Sequence, residues 1–575
     1  MKIVSASTRQ AGVRGTVAGC AIMLLVLTLS SVPSRAALAQ QPAPQEKPAQ
    51  SATAEQRPLP LSPIEIAEKN GTAVKMSLRD VTRLALQNNL DIAIQDTNEE
   101  LAQQRIIQAY GPYDPTIGFN FAVGDNQSPN TRLDTAAANA TFNETKSLNW
   151  TVNYAQAIST GGTITGNFRS SRAQTNQLFS LLNPIYGING AIQFTQPLWR
   201  NFRIDQTRGN IKLVNLNLKI SDSQFKQKVV STISNIQGIY WDLVGTIRNY
   251  EIQRESVRLG QISLENNRKK VEIGTLAPIS ITESEADLAN REVSLIQAEE
   301  RIINVENNLR ALISSDRSAE IWRQIVVPTD TPEFKDYPVA LDEAIETALS
   351  SRPELEQLDL NIQQNDVNYS VTENSRKWQM DFVASFGSVG NAGTTTQQGD
   401  STVPVNPDLI GGLGQAYKTF FVGGYNNWSL GVNVQIPLRN RTADAQLAQI
   451  RITQRQLLMN RKNAEQQIQV AVRNAVQSLE TNKKQVQQAR VARQLAEEQL
   501  VGEEKRFQAG LSENFLVLQR QNQLSSAQGQ ELQALITYKQ AIIDLQTAMY
   551  TLLEANDFQM AKESTGGVTN VPKFK

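Results

Sequence analysis

Several stretches of this chain alternate apolar and polar residues with a period of two, the pattern of a strand whose two faces meet different surroundings. Ile117, Phe119 and Phe121 alternate with Gly118, Asn120 and Ala122; Leu148, Trp150, Val152 and Tyr154 alternate with Asn149, Thr151, Asn153 and Ala155; Ile192 and Phe194 alternate with Gln193 and Thr195. Farther on, Trp378, Met380, Phe382, Ala384 and Phe386 are interleaved by Gln379, Asp381, Val383 and Ser385. Trp428, Leu430, Val432, Val434 and Ile436 are interleaved by Ser429, Gly431, Asn433 and Gln435. After each group of strands the period lengthens to that of a helix. Arg441 to Val501 contains no Gly or Pro over 61 residues, which at about 1.5 Å per residue predicts roughly 90 Å of helix. Its apolar residues Leu447, Ile450, Leu457, Ile468, Val472, Val476, Leu479 and Val486 recur at steps of 3, 4, 7 or 11, a narrow stripe suited to coiled-coil packing. Further helices are predicted from Asp205 to about Lys270, from Ser280 to Ile313, and from Phe515 to Leu553.

The order of elements is written twice. Ala85-Leu86 recurs as Ala348-Leu349, Gln196-Pro197-Leu198 as Ile436-Pro437-Leu438, and Gly274 as Gly510. Internal repeats constrain architecture more than local propensity does. They predict a first repeat over 64–313 (a helix, strands at about 115–199, long helices at about 205–313) and a second over 340–557 (a helix, strands at about 377–438, long helices at about 441–557). A linker over 314–339, broken by Pro328, Pro332 and Pro338, joins them. The copies differ in length: Ala85 to Pro197 spans 112 residues and Ala348 to Pro437 spans 89, so the first is longer by 23. Leu148 to Ser170 accounts for that excess and reads as a hairpin turning at Gly161-Gly162.

The chain ends read differently. Lys2, Arg9 and Arg14 precede a mostly apolar run from Val17 to Val32, and Ala37-Leu38-Ala39 offers a cleavage site, so 1–39 reads as a signal peptide. Val17-Ala18-Gly19-Cys20 imitates a lipoprotein box, but the apolar run follows Cys20 instead of ending at it. Residues 40–63, rich in Pro, Ala and Gln, form a tether with no core, and 558–575 read as a disordered tail.

Composition removes several classes of function. The chain has no His, and its single Cys is Cys20, which leaves no ordinary zinc site and no His-dependent nucleophile. Acids such as Glu283 and Glu285 read as a solvated helix face, and neither a cofactor motif nor a catalytic set is present. The 56 basic and 56 acidic residues balance, and loss of Lys2, Arg9, Arg14 and Arg35 with the leader gives a net charge near −4, so nucleic acid is not an expected partner.

Alternation alone also describes a soluble sheet with one wet face. Here the polar face carries Asn, Gln, Thr and Gly, suited to a water-filled lumen, and a secretory leader precedes it. Beyond that leader no apolar stretch reaches 18 residues, so a spanning form must be a barrel.

The chain resembles the TolC-type outer-membrane efflux proteins over nearly all of its length beyond the leader. The resemblance rests on the Ala-Leu starts, on Tyr110-Gly111-Pro112-Tyr113-Asp114-Pro115 before the first strand, and on the strand ends Phe194-Thr195-Gln196-Pro197-Leu198 and Val434-Gln435-Ile436-Pro437-Leu438. Ile273-Gly274-Thr275-Leu276-Ala277 and Ala509-Gly510-Leu511-Ser512 complete it. It implies a mixed α/β membrane protein: a homotrimer forming one antiparallel transmembrane β-barrel in the outer membrane of a Gram-negative cell, continuing into a long α-helical coiled-coil tunnel across the periplasm. Four strands per protomer are expected, with the Leu148–Ser170 hairpin as an outer loop; six follow if that hairpin lies in the wall.

The implied function is the passive exit duct of a tripartite efflux or type I secretion system, docked to a periplasmic adaptor and an inner-membrane pump. The alternative is a non-conducting periplasmic or surface coiled-coil protein. From the resemblance, Gly274, Thr275, Leu276, Ala277, Gly510, Leu511 and Ser512 are the expected adaptor-contact tips. Ser280, Glu283, Leu516 and Gln519 are the expected tunnel constriction, with Glu283 its only carboxylate. The acidic ring expected beyond the second tip is absent, and Leu516 there would exclude ions by dewetting.

Overall fold

The structure is a computed structural model that describes residues 61–130, 141–177, 179–396, 404–422 and 424–556. All of them fall within one unit, Leu59–Lys575. The leader, Cys20, the tether up to Pro60 and the tail lie outside the described residues.

Helix α1 (Pro63–Asn70) opens with Pro63 in its first turn and Ser62 as N-cap, closed reciprocally by Glu65. The helix therefore starts on the last proline of the expected tether. Strand β1 (Ala73–Met76), α2 (Leu78–Asn88) and α3 (Leu90–Tyr110) follow. Ser77 and Asp80 form a second capping box on α2, and Asn89 caps α3 through the N–H groups of Asp91 and Ile92.

Four strands come next: β2 (Thr116–Pro129), β3 (Phe142–Ala157), β4 (Thr163–Thr175) and β5 (Leu182–Pro197). Then come α4 (Gln206–Glu272), α5 (Ile279–Ile313), β6 (Ile325–Pro328), α6 (Leu341–Ser351), α7 (Pro353–Ser375) and β7 (Gln379–Thr395). The described chain closes with α8 (Leu413–Val422), β8 (Asn426–Gln435), α9 (Arg441–Gln508), α10 (Asn514–Met549) and α11 (Leu552–Ala555).

Six strands form one antiparallel sheet in the order β2-β3-β4-β5-β7-β8. This corrects the expected four per protomer. The Gly161-Gly162 hairpin is not an outer loop: β4 pairs with β3 from Thr163 to Thr175 and with β5 from Thr163 to Ala173. Register carries the alternation across the whole sheet. Ile117, Tyr154, Gly166, Ile192, Phe386 and Trp428 form one cross-strand row, and Gly118, Asn153, Asn167, Ala191, Gly387 and Asn427 form the next row on the opposite face. Both edge strands, β2 and β8, are exposed along their full length.

The long helices exceed their expected limits. α9 runs through Gly502 to Gln508, 68 residues, and α4 covers 67. Of the α9 stripe, Leu447, Ile468, Val472, Leu479 and Val486 are buried and Ile450, Leu457 and Val476 half-buried. α10 stops earlier than expected because Tyr550 turns left-handed at φ 62°.

The segment between the halves is more than a linker. β6 pairs in parallel with β1, Ile325 opposite Ala73 and Pro328 opposite Met76. Tyr240 of α4 fastens this small sheet, donating from Oη to Met76 O at 3.2 Å and to Asp330 Oδ2 at 2.6 Å. Glu306, almost wholly buried, accepts from the Val326 N–H at 2.7 Å and from Arg310 Nη2 at 2.7 Å. Beneath lies the largest core, where Ile233, Ile236, Leu243 and Val257 of α4 meet Ile302, Leu309 and Ile313 of α5, Val81 of α2 and Ile536 of α10.

Candidate functional site: the paired helix tips and the sheet

Both long helices end on basic residues, Lys269 and Lys270 on α4 and Lys505 and Arg506 on α9, where the carbonyl end of the helix dipole favours cations. Each then closes the same way. Gly274 N–H donates to Val271 O and Thr275 N–H to Lys270 O; Gly510 N–H donates to Phe507 O and Leu511 N–H to Arg506 O. These are two Schellman closures. Gly274 and Gly510 both take φ +74°, and a Cβ at either would touch nothing within 4 Å, so glycine is required by backbone conformation and not by space.

The two turns are neighbours: Lys270 Nζ sits 3.9 Å from the centroid of the Phe507 ring. Their outer surfaces differ from a solvated helix end. Leu511 is 80 % exposed, Ile273, Ile279 and Phe515 are exposed as well, and Leu276 is half-buried. Thr275 and Ala277 are exposed, Thr275 Oγ1 donating to Lys270 O at 3.0 Å, while Ser512 is half-buried and its hydroxyl bonds Glu503.

Just behind the tips lies a buried polar network that the sequence reading missed. Asn267 Nδ2 donates to Ser284 Oγ at 2.9 Å and to Asn514 Oδ1 at 2.7 Å, joining α4, α5 and α10. One to two turns farther on, Arg291 Nε meets Asp287 Oδ2 at 2.7 Å, its Nη1 donates to Ser256 O at 2.9 Å, and Asn522 Nδ2 donates to Asp287 Oδ1 at 2.7 Å. The Asn267 and Arg291 bonds are satisfied inside a helix junction, where an unmet donor costs about 1–3 kcal/mol, while the Asn522–Asp287 bond lies at its exposed margin. A signal did exist. Ser280, Ser284 and Arg291 continue, at steps of 4 and 7, the buried stripe Leu295, Ala298, Ile302, Val305 and Leu309 of α5. Read as polar they look like a solvated face; read by phase they belong to the interior.

Among the four residues expected at the constriction, the structure separates one from the rest. Ser280 is buried and its carbonyl accepts from Ser284 Oγ, so it does not face open space. Glu283, Leu516 and Gln519 are exposed, Leu516 and Gln519 three apart on α10. Among the described residues no cluster of acidic, His or Cys side chains could hold a metal ion, and no helix is long and apolar enough to cross a membrane.

A sheet with one apolar face, carried on pairs of very long helices that reverse at matched glycine turns, defines the class of outer-membrane channel folds with a helical tunnel. Known structures agree. The fold is similar to the outer-membrane channel CmeC of Campylobacter jejuni (TM-score 0.57, 15 % identity, 85 % of this chain and 87 % of that one). It is similar to VceC of Vibrio cholerae (TM-score 0.56, 14 % identity, 82 % and 95 %) and to MtrE of Neisseria gonorrhoeae in its open state (0.54, 14 %, 83 % and 89 %). Within the chain, residues 344–549 match the outer membrane efflux protein family, which bears out the resemblance to TolC-type proteins. No curated protein matches the sequence.

Proposed function

We propose that the protein is an outer-membrane efflux duct, a homotrimer in which each chain supplies two similar arcs of one ring. The observation that carries this reading is the six-stranded sheet with two free edges, continuous with the long helices. An open sheet with a fully exposed apolar strand at each edge is an unstable end state for a single chain. Edge-to-edge closure of three copies, β8 of one on β2 of the next, supports a barrel of eighteen strands, an even number as such barrels use. The apolar face then meets lipid, and the Asn-rich face lines water.

The helices of three copies would form the periplasmic tunnel, closed near the tips by Glu283, Leu516 and Gln519. The tip residues, Gly274 through Ala277 and Gly510 through Ser512, would receive a periplasmic adaptor tied to an inner-membrane pump, in tripartite efflux or type I secretion. The channel itself does no chemistry, in keeping with a family of channels. Purified protein reconstituted in planar bilayers is expected to conduct, to migrate as a heat-modifiable trimer, and to lose adaptor capture on Leu511→Glu. A monomer without conductance would overturn the duct and favour a coiled-coil structural protein of the envelope.

A further inference from the structure

The apolar face of the sheet changes character partway up β7. Phe382, Ala384 and Phe386 give way to Ser388, Gly390 and Ala392, with Gly190 alongside on β5. Helix α8 lies on this low ground. Ala416, Tyr417 and Phe420 pack with Ile188 and Ala392 of the strands and with Phe168 and Tyr186. Ser388 Oγ donates to Phe420 O at 2.8 Å and Thr419 Oγ1 to Asn391 O at 3.1 Å, fixing the helix to the strand beneath it. The seat requires the glycines: a Cβ on Gly190 would lie 2.7 Å from the Phe420 ring, and one on Gly390 would lie 2.6 Å from Phe420 Cβ.

Beside the C-terminal turn of α8 the sheet and Phe420 bound a recess of about 350 Å³. Val152, Tyr154, Phe168, Ile192, Phe386 and Phe420 wall it, and Gly166 and Gly190 lower its floor. The lining is almost wholly carbon. Phe168 and Phe420 meet edge to face at 5.5 Å, which holds one wall upright. On this face polar side chains return at Arg172 and, one row farther toward the loops carrying α8, at Asp125, Lys146 and Gln174, while the Trp199–Trp378 ring pair lies toward the helices at the other end. The recess sits between them, at hydrocarbon depth if this face meets lipid.

We propose that the recess is a binding site for one acyl chain of a membrane lipid, held between the sheet and Phe420. The inference rests on the reading of this face as lipid-facing. In a bilayer there is no hydrophobic gain in moving a chain from lipid to protein, so the selectivity comes from close packing. A gap left unfilled forfeits dispersion contacts along its whole lining, and a flexible hydrocarbon chain restores them. A headgroup does not suit a carbon-lined site at that depth.

Gly166→Leu gives the test. A Cβ at Gly166 meets nothing nearer than Tyr154 Cβ at 3.7 Å, so the new side chain enters the recess without displacing a strand. Full-length protein extracted from outer membranes in mild detergent is measured by native mass spectrometry, with fatty acids quantified after solvent extraction. The wild type is expected to retain lipid up to one molecule per subunit, and Gly166→Leu to reduce it at least fivefold while insertion and conductance persist. Phe420→Ala, which removes the opposite wall, is expected to lower retention as well. Wild-type protein that inserts and conducts but carries no lipid, or lipid that survives both substitutions, overturns the recess and leaves the duct standing. Protein that neither inserts nor conducts overturns the duct instead.

Discussion

Gly274 and Gly510 show what one residue contributes at the tips. At φ +74° an L-residue pays a steric penalty of about 1–2 kcal/mol, and with open space around both positions nothing else offsets or adds to it. Gly274→Ala and Gly510→Ala are each expected to lower unfolding free energy by that amount in denaturant titration, and Gly274→Asn by less, since Asn tolerates the left-handed region. Equal losses for Ala and Asn would show that the turn is not the cause. Glu306 poses the opposite problem. Burial holds its carboxyl above the ordinary carboxylate range, although the Val326 N–H and Arg310 pull it down. The folded state thus keeps the proton to higher pH than the unfolded chain. The stability this group contributes is complete below its unfolded value and falls as pH rises through the raised folded value. Glu306→Gln, which keeps an acceptor for Val326, is expected to flatten that slope in melts across the acidic range. Glu306→Leu leaves the Val326 N–H without its acceptor and the Arg310 charge without its carboxylate, with only Asn307 Oδ1 and the Gln324 carbonyl still accepting from the guanidinium, and is expected to cost about 3–5 kcal/mol.

Elements were legible where a period ran long enough. Ile117 to Phe121 and Trp428 to Ile436 announced their strands because each face of the sheet has one environment, and the α9 stripe announced its helix for the same reason. β1 and β6 escaped notice because four residues cannot show a period and Pro328 reads as a breaker, yet parallel pairing across 252 residues places them together. α8 escaped because ten residues between Gly411 and Gly424 resemble a loop, and only the small residues of β7 reveal that something must cover them. The tips were found through their glycines, whereas Asn267 and Arg291 were hidden because burial of a polar side chain is decided by neighbours on other helices. The alternation also makes a prediction at this scale. Leu430 and Asn433 lie on opposite faces of β8. Leu430→Lys is expected to cost about 2–4 kcal/mol at mid-bilayer and to deplete trimers from outer-membrane fractions, while Asn433→Lys leaves the yield unchanged. Equal tolerance would mean that the apolar face does not meet lipid.

For the whole molecule the open question is how the free edges are covered. Three arrangements satisfy an exposed edge strand: burial under another element of the same chain, endless addition of copies, or closure of a ring. Among the described residues β2 and β8 pair only with β3 and β7, and both strands are exposed along their full length. Endless addition would make a ribbon, but the sheet twist and the long helices rooted at Asp205 and Asn440 turn each added copy by a fixed angle, which favours closure. The chain's single Cys lies at position 20, in the predicted leader, so introduced thiols have no background to contend with. Asn120→Cys on β2 can be combined in turn with Ser429→Cys, Gly431→Cys or Asn433→Cys on β8, which sample the seam at two-residue steps on one face. One of these pairs is expected to fall within the roughly 3.5–4.5 Å between Cβ atoms that a disulfide needs. Oxidised outer membranes should then show linked dimers and trimers on a denaturing gel and nothing larger, because a closed ring has no spare edge. A ladder continuing beyond three would establish an open assembly, and no linkage from any pair would mean that β2 and β8 do not meet.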